Sequence, residues 1–419
     1  MAETRDLKVI TAFRSSLAAS LANRPTVQQI NSASVWSTKP LGLFASPSPS
    51  PSPSPPSALI DFPVILPQKF LMRNTPSLLL SCLLLAVAAC AEAARDVTFY
   101  LVSDTHVGMD YRKTTPPFGS DEFNAHVART LEVLAKVPGT AWQEGPVAEA
   151  MKGKGPVPRP LGMIVAGDLT EVGNAAQWKD FDRLFPWQGT TPAKYPTFAL
   201  AGNHDGGNTG PVRQGLRLRN REMAGAGLVT ASEDGLHTSW NWQGVHFINV
   251  NLYGGDGAKE GAKVTSMWNP EGGLTYLKAQ LAKIGPAEPV VIAQHLDFSA
   301  RSTWWDQPKR KAFYEAIKGH NIIALLHGHT HDITRLKFPE DKDYADFGGQ
   351  GPRFDCFSAG AFKPDAKEGK PFPGPRYPCE CYVFRIVDDV LVAAHYTAEP
   401  GGWNTSKHAP QLTFVKVIK

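Results

Sequence analysis

Residues 322–331 read IIALLHGHTH, in which an apolar run of β-strand character ends at two closely spaced histidines. The run Ile322–Leu326 is typical of a buried strand, and His327, at its end, is predicted to be structural. A tight turn after the strand could direct the imidazoles of His329 and His331 towards two different metal ions. This stretch therefore predicts a strand whose carboxyl end carries metal ligands.

Four other apolar runs end in the same way, at a short cluster of polar residues. In open α/β sheets, ligands bind beyond the carboxyl ends of the strands, so we expect the clusters to meet at one edge. Helical patterns separate the runs, which predicts an α/β fold. The runs and clusters are Val97–Ser103 before Asp104, Thr105 and His106; Leu161–Ala166 before Gly167 and Asp168; Thr197–Ala201 before Gly202, Asn203, His204 and Asp205; and Val290–Ala293 before Gln294 and His295.

The spacing of apolar residues predicts helices between these strands. The first is expected over residues 120–137, with Ser120 as its N-cap and acidic residues in its first turn. Others are expected over residues 174–185 and 274–284, where apolar side chains recur on one helical face.

The length of 419 residues allows one large domain or two ordinary ones, and a hydrophobic content of 42% is enough to bury a core. No interdomain linker is evident after residue 96, so residues 96–419 are predicted to form one domain. Residues 350–419 have β-like patterns and are assigned to its C-terminal β part. Within them, residues 364–378 are rich in Pro, Lys and Gly and are expected to form a long loop.

The charge distribution excludes some classes of partner. The formal net charge is only +4, from 43 basic and 39 acidic residues, and no run of Lys and Arg stands out. The sequence therefore gives no specific signal for nucleic-acid binding and little for an anionic membrane surface. No protein partner is inferred either.

The N-terminal region is interpreted separately from the fold. Residues 46–56 are a Pro/Ser tract that cannot pack a core. Residues 72–95 combine a short basic start, an apolar run and small residues, as in a secretion signal. Because such a signal belongs at the start of a chain, we interpret Met72 as the initiator and residues 1–71 as an extension that is disordered or not translated. An uncleaved anchor with a cytoplasmic tail is the alternative.

Two cleavage sites compete at the end of this segment. Residues 87–90 resemble a bacterial lipobox, which would leave Cys90 lipidated, and residues 91–93 fit an ordinary signal-peptidase site. In either case we expect an exported domain that is periplasmic, anchored to a membrane through Cys90, or secreted. An oxidising compartment permits one disulfide between the first of the remaining cysteines and either of the others, and three buried free thiols are the alternative. These cysteines are Cys356, Cys379 and Cys381.

Each polar cluster has an ordinary interpretation when it is taken alone. Asp104 and His106 are typical of a capped turn, Asp168 of a helix cap, and a lone His295 of a satisfied core histidine. Asn203 is less ordinary, because it follows a glycine that lets the backbone approach closely, and its side-chain carbonyl can serve as an oxygen ligand. These ordinary interpretations do not explain why all five clusters occur together in this order.

The series Asp-x-His, Gly-Asp, Gly-Asn-His-Asp, His and Gly-His-x-His resembles the five-block signature of the calcineurin-like metallophosphoesterases, over roughly residues 97–340. The resemblance implies a four-layer αββα sandwich, in which two β-sheets are flanked by helices. It also implies two metal ions bridged by Asp168. One ion would be held by Asp104, His106, Asp168 and His331, and the other by Asp168, Asn203, His295 and His329.

Such a centre hydrolyses phosphate esters, because two ions about 3.5–4 Å apart lower the pKa of a bridging water and hold the phosphoryl oxygens for in-line attack. Mixed Asp, Asn and His ligands suit divalent or trivalent Mn, Fe or Zn. His204, beside Asn203, is predicted to be the general acid for the leaving group. Glu171 stands where some relatives carry the carboxylate that orients this acid; a solvent-facing residue at a helix start is the alternative.

Residues near the fourth block are candidates for substrate binding. Arg301, Trp304 and Trp305 follow His295 on a predicted loop and could supply an anion clamp and a stacking or lipid-contacting surface. Paired tryptophans are nevertheless more often packed than functional. Specificity is assigned to loops, which are predicted over residues 107–120, 205–240, 253–268 and 297–306.

Departures from relatives narrow the substrate class. No Tyr follows Gly167 and Asp168 as it does in the purple acid phosphatases, so a tyrosinate-bound ferric ion is not expected. The Gly-Asp-Arg-Gly run of the protein Ser/Thr phosphatases is also missing, which slightly favours phosphodiesters. The alternatives are a phosphomonoesterase and a non-catalytic metal-binding protein on the same scaffold.

Overall fold

The structure, a computed structural model, describes residues 95–110, 119–257, 266–362, 379–398, 402–403 and 409–418. The predictions for the extension 1–71, for the signal segment up to residue 94, for lipidation of Cys90 and for the loop 364–378 fall outside these residues. Within the described part of the chain, no helix combines the length and the apolar character that a membrane span requires.

Between Asp96 and His327, helices separate most of the successive strands. The strands are β1 (Asp96–Val102), β2 (Gly162–Ala166), β3 (Thr197–Leu200), β4 (Thr230–Ala231), β5 (Thr238–Trp242), β6 (Val245–Asn249), β7 (Val290–Ala293), β8 (Ile322–His327), β9 (Thr334–Phe338), β10 (Phe354–Ser358), β11 (Glu380–Val387), β12 (Val390–Thr397), β13 (Gly402–Trp403) and β14 (Phe414–Val417). The helices are α1 (Ser120–Leu134), α2 (Pro146–Ala150), α3 (Ala175–Leu184), α4 (Pro211–Gly225), α5 (Gly273–Ile284), α6 (Gln307–Ile317), α7 (Asp341–Asp346) and α8 (Ala409–Leu412).

The strands form two mixed β-sheets. In the first, the order is β13-β12-β11-β1-β2-β3, with β14 beside β12, and in the second it is β4-β5-β6-β7-β8-β10-β9. Strands β1, β2 and β3 are parallel to one another, and so are β6, β7, β8 and β10. Within each sheet, parallel pairing places the carboxyl ends of the cluster-bearing strands at the same edge.

The alternation of side chains along β1 shows how the layers are arranged. Val97, Phe99 and Leu101 belong to a core between the two sheets, whereas Tyr100 and Val102 belong to a core shared with helices α1 and α3. On the other side of the second sheet, helices α5 and α6 contribute to a third core. The order helix, sheet, sheet, helix confirms the predicted four-layer α/β sandwich.

The first predicted helix is α1, and its N-terminus corrects the prediction. Ser120 is the first residue of the helix, and the N-cap is Gly119. The carboxylate of Glu122 accepts a hydrogen bond from the amide of Gly119 at 2.8 Å, which satisfies the backbone donor of the N-cap residue. The other two predicted helices are α3 and α5, whose bounds differ by at most one residue from those expected.

The C-terminal strands lie beside the strand that carries the first polar cluster. Strand β11 pairs antiparallel with β1 and with β12, so both belong to the first sheet. Three cysteines of the described residues, Cys356, Cys379 and Cys381, are buried and form no disulfide with one another. The expected disulfide is therefore not formed, and the alternative prediction holds.

Candidate metal centre

The carboxyl ends of β1, β2, β3, β7 and β8 bring the seven predicted metal ligands together. Five are buried, and His329 and His331 are half-buried. Among the described residues, two groups that share Asp168 have carboxylate and imidazole atoms within 4.8 Å of one another. The proximity inferred from the five strand ends is thus present, and the roles of these side chains as ligands stay a prediction.

The first group contains Asp104, His106, Asp168 and His331. The Nε2 atoms of His106 and His331 lie 3.2 Å apart. Oδ1 of Asp104 lies 3.4 Å from Nε2 of His331 and 4.0 Å from Nε2 of His106. Oδ2 of Asp168 lies 3.9 Å from Nε2 of His106. Two imidazole nitrogens and two carboxylates therefore converge on one small volume.

The second group contains Asp168, His295 and His329, with Asn203 beside them. Nε2 of His295 lies 3.0 Å from Oδ1 of Asn203 and 3.3 Å from Oδ1 of Asp168. Nδ1 of His295 donates a hydrogen bond to the carbonyl of Ala166 at 2.8 Å, which orients the ring so that Nε2 faces the group. The rings of His295 and His329 have their centroids 5.1 Å apart.

Five of the predicted ligands lie in the left-handed region of the backbone map. Residues with a Cβ adopt this conformation at an energetic cost, and it persists only where the surrounding structure holds it. At a strand end it turns the chain sharply, so the side chain can be aimed across the edge of the sheet. The φ angles are 50° for Asp104, 43° for His106, 47° for Asp168, 71° for His329 and 62° for His331.

At two positions in the five blocks, neighbouring atoms lie so close to the backbone that only glycine fits. A Cβ on Gly202 would lie 2.2 Å from Oδ1 of Asp168, and a Cβ on Gly328 would lie 1.7 Å from Oγ of Ser103. Neither separation is possible between nonbonded atoms. The glycines therefore allow the third and fifth blocks to pack directly against the first two.

Asp205, which closes the third block, is a positioning residue that the sequence did not reveal. Its buried carboxylate accepts hydrogen bonds from the amides of Leu169, Thr170 and Gly202 at 3.0, 2.9 and 2.8 Å. The hydroxyl of Thr170 donates a fourth hydrogen bond at 2.9 Å. Asp205 thus ties the loop after β2 to the loop after β3. In the sequence, the only indication of a role for Asp205 was its position next to His204.

The electrostatics of the centre are those of two crowded carboxylates. Burial raises the pKa of Asp104; the charge of His295 opposes this shift, and the charge of Asp168 adds to it. Burial also acts to raise the pKa of Asp168, but the charge and hydrogen bond of His295 hold this pKa below its usual range. Burial and the charge of His295 lower the pKa of His329 to about 3. Burial acts to lower the pKa of His295, but the charge of Asp168 raises it to about 9, so the positive charge of the second group lies on His295.

These residues fit metal ions. Two buried carboxylates close together need positive charge nearby, because burial penalises uncompensated negative charge. Converging imidazole nitrogens and carboxylate oxygens are a donor set suited to Mn, Fe or Zn. The residues at this edge could hold one ion in each group, with Asp168 common to both.

The structure gives Glu171 contacts with two histidines. Oε2 of Glu171 lies 2.7 Å from Nδ1 of His106, and a carboxylate oxygen of Glu171 lies within 4.8 Å of a ring nitrogen of His204. Nδ1 of His204 donates a hydrogen bond to the main-chain carbonyl of Glu171 at 2.7 Å. The amide of His204 also donates a hydrogen bond to Oδ1 of Asp168 at 2.8 Å.

His204 lies at the edge of the first group. Its ring is nearly perpendicular to that of His106, at a centroid distance of 4.8 Å. Together with Glu171 these two histidines form a further group of potential ligands among the described residues. A general acid in this position would act beside the ions without belonging to either of the two predicted sets.

The candidates for substrate binding separate into exposed and buried residues. Arg301 and Trp304 are exposed and line an open cavity of about 420 Å³ that also includes His329. Trp305, in contrast, has no exposed surface and packs against Phe298, among other aromatic rings of the core. The prediction that Trp305 contacts substrate directly is therefore wrong, because the side chain is completely buried in the core.

The sequence matches a known protein family. A profile of the calcineurin-like phosphoesterases matches residues 97–332, which is more than half of the chain. No curated protein sequence gives a significant match.

Several solved structures resemble the chain at low identity. GAP50, the anchor in the inner membrane complex of Plasmodium, is 11% identical, with 77% of this chain and 89% of that chain covered and a TM-score of 0.44. The NAD nucleotidase NadN of Haemophilus influenzae is 12% identical, with 78% and 50% covered and a TM-score of 0.34. The calcineurin-like phosphoesterase YfkN of Bacillus subtilis is 13% identical, with 78% and 91% covered and a TM-score of 0.34.

Proposed function

Since this chain belongs to the calcineurin-like phosphoesterase family, we propose that it hydrolyses phosphate esters with two metal ions bound at the common edge of its sheets. One observation carries the proposal: two groups of potential ligands converge there and share a single carboxylate, Asp168. A structural ion would need only one such group, closed on all sides.

The chain's own residues divide into two proposed ligand sets. When bound, the ions would activate a water as the nucleophile and provide positive charge for the phosphoryl oxygens. The mixture of nitrogen and oxygen donors favours Mn, Fe or Zn. The first set is Asp104, His106, Asp168 and His331, and the second is Asp168, Asn203, His295 and His329.

His204 is the proposed general acid. The hydrogen bond from its Nδ1 to the carbonyl of Glu171 fixes the orientation of the ring and leaves Nε2 to donate a proton to the leaving-group oxygen. The second hydrogen bond, from the amide of His204 to Asp168, holds this residue against the proposed bridging carboxylate. Proton donor and nucleophile would therefore be positioned by one local structure.

Phosphodiesters are the favoured substrates, on the sequence argument alone. The chain lacks the Gly-Asp-Arg-Gly run of the protein phosphatases. The alternatives are a phosphomonoesterase and a member of the family that binds metal without turnover. The residue that separates the last alternative is His204, which a purely metal-binding protein would not need.

We further propose that the domain is exported, which rests on the signal-like segment 72–95. N-terminal sequencing of protein from the native host tests this directly. A mature chain that begins at Cys90 or soon after residue 93 supports it, and one that retains residues 1–71 contradicts it.

The hydrolysis of p-nitrophenyl phosphate and of bis(p-nitrophenyl) phosphate tests the proposed activity. The purified protein would be stripped with a chelator and reloaded with Mn, and Asp168→Ala would serve as the inactive variant, with the exposed Asp389→Ala as its matched control. We expect metal-dependent turnover in the wild type and in the control, faster on the diester. Faster turnover of the monoester would identify a phosphatase. No turnover of either ester by protein that holds two ions would contradict catalysis.

A further inference from the structure

Two tryptophans from distant parts of the chain stack beside the proposed metal centre. The rings of Trp268 and Trp304 are parallel within 3°, with centroids 4.2 Å apart. The ring of Trp268 meets the ring of His329 edge-on, at a centroid distance of 6.5 Å. We call Trp268 and Trp304 the tryptophan wall. It extends outward from one of the proposed ligands of the second metal ion.

Trp304 of the tryptophan wall lines the cavity, which also includes His329. Trp304 is 45% exposed although one face of its indole is covered by Trp268, so much of the other face is open. The cavity has a volume of about 420 Å³ and is open to solvent. Its other lining residues are mostly polar: Asp297, Ser299, Arg301, Ser302, Thr303 and Thr330.

A buried arginine fixes the position of Trp268. The guanidinium of Arg213 is 1% exposed, and it donates hydrogen bonds to the carbonyls of Met267 and Asn269 at 2.6 and 2.7 Å. These two residues flank Trp268 in the sequence. The charge of Arg213 is compensated by Glu271 at 2.5 Å. The backbone on both sides of Trp268 is therefore held by a paired, buried charge.

A second buried arginine does the same for Trp304. Arg310 donates hydrogen bonds to the carbonyls of Ser302 and Trp305 and is paired with Asp343 at 2.6 Å. The buried Trp305 anchors the loop in the core. The two neighbouring tryptophans thus have different roles: Trp305 holds the loop, and Trp304 presents a ring to the cavity.

We propose that the tryptophan wall stacks against a planar aromatic ring carried by the phosphoester substrate, such as a nucleobase or an aryl group. This inference rests on the proposed function and narrows its substrate class. An indole face held rigidly in place binds a ring at little entropic cost, and stacking tolerates any π system. The polar lining and Arg301 suit a ring with polar substituents and do not suit a lipid chain.

Binding of two phosphonates to the Mn-loaded protein tests the proposal without requiring turnover. Phenylphosphonate and methylphosphonate have the same head group, and only the first has a ring. Calorimetry would compare the wild type with Trp304→Ala, with Trp304→Phe, which keeps a ring, and with the exposed Leu218→Ala as control. We expect Trp304→Ala to weaken phenylphosphonate about tenfold and to leave methylphosphonate within about twofold. Trp304→Phe should retain most of the affinity.

Each other outcome has a definite meaning. Equal effects of Trp304→Ala on both ligands, or no effect on either, would overturn the proposed wall and leave the metal centre intact. Hexylphosphonate, which carries an apolar chain without a ring, would be measured in the same way. If Trp304→Ala weakened its binding as much as that of phenylphosphonate, the contact would be general and apolar, and the proposed ring stacking would be overturned. If neither phosphonate binds to the metal-loaded wild type, the proposed phosphoester site itself fails, and this inference fails with it.

Discussion

The carboxylate of Glu171 lies 2.7 Å from Nδ1 of His106. The two atoms are in ion-pair contact, although their geometry is not that of a hydrogen bond. The other ring nitrogen of His106, Nε2, faces Nε2 of His331, 3.2 Å away. A carboxylate beside a ligand histidine is a common way to orient the ring. Glu171 therefore contacts His106 through its carboxylate and His204 through its main-chain carbonyl.

Glu171→Gln should weaken metal binding. The substitution keeps the size of the side chain and removes the negative charge that faces Nδ1 of His106. Partners of this kind typically contribute 10–100-fold to metal affinity, so we expect a loss of about that size at one of two sites. Competition with a fluorescent chelator would measure it, and the exposed Glu149→Gln is the control. If metal affinity were unchanged and the turnover of alkyl esters were slower, Glu171 would instead orient the general acid His204, as the sequence predicted.

His204→Ala distinguishes catalysis from metal binding. General acid catalysis contributes typically 10²–10⁴-fold, so kcat should fall by about that factor on an alkyl ester. An ester of p-nitrophenol should be affected far less, because its leaving group needs little protonation. Kinetics on both esters and elemental analysis of the variant would be compared with the wild type. Equal losses on the two esters would remove His204 from the acid role, and loss of metal would place it among the ligands.

Asp205→Asn should destabilise the fold. The carboxylate accepts four hydrogen bonds, and the amide group of Asn would set its own hydrogens against at least one of these donors. We expect the free energy of unfolding of the metal-free protein to fall by about 3 kcal/mol. Urea denaturation measures it, and Asp341→Asn, whose native side chain is 94% exposed, should change it little. A similar effect of both substitutions would show that Asp205 does not tie the two loops together.

His126 should make the stability of the protein depend on pH. Burial, helped by the charge of Arg129, lowers the pKa of His126 from 6.5 to about 4. Between these values the unfolded chain binds the proton more readily than the folded chain does, so stability falls as the pH falls from 6.5 to about 4. The loss attributable to this histidine is about 3 kcal/mol at most. It should be absent from His126→Leu, as denaturation of the metal-free variant at pH 7.5 and 4.5 would reveal. An equal pH dependence in both proteins would assign the effect to other groups.

The layers and the meeting point of the clusters were predictable because they rest on local patterns. Apolar runs define the strands, and each run here ends at a chemically distinctive cluster. The segment 205–240, expected to be a loop, instead contains α4 and β4, because tertiary packing of Val212, Leu216 and Met223 stabilises a helix whose surface is otherwise polar. Three apolar residues on an otherwise polar helix give only weak helical periodicity, so the sequence pattern did not predict this helix.

Long-range partners account for the features that the sequence did not indicate. The separation between Trp268 and Trp304 along the chain hides their stacking, and the repeated Trp304-Trp305 pair hides that only one of the two is exposed. The contacts of Glu171 with His106 and His204 are equally nonlocal. The three residues follow three different strands, so no spacing within one loop determines these contacts.

The number of metal ions per chain tests the central claim most directly. Protein purified without added chelator, then equilibrated with Mn and freed of excess, would be analysed by elemental mass spectrometry together with its activity. The account predicts two ions per wild-type chain, and the loss of both from Asp168→Ala, because this residue belongs to both ligand groups. A wild-type chain that holds one ion and is fully active, or an Asp168→Ala chain that binds two ions with normal affinity, would contradict it.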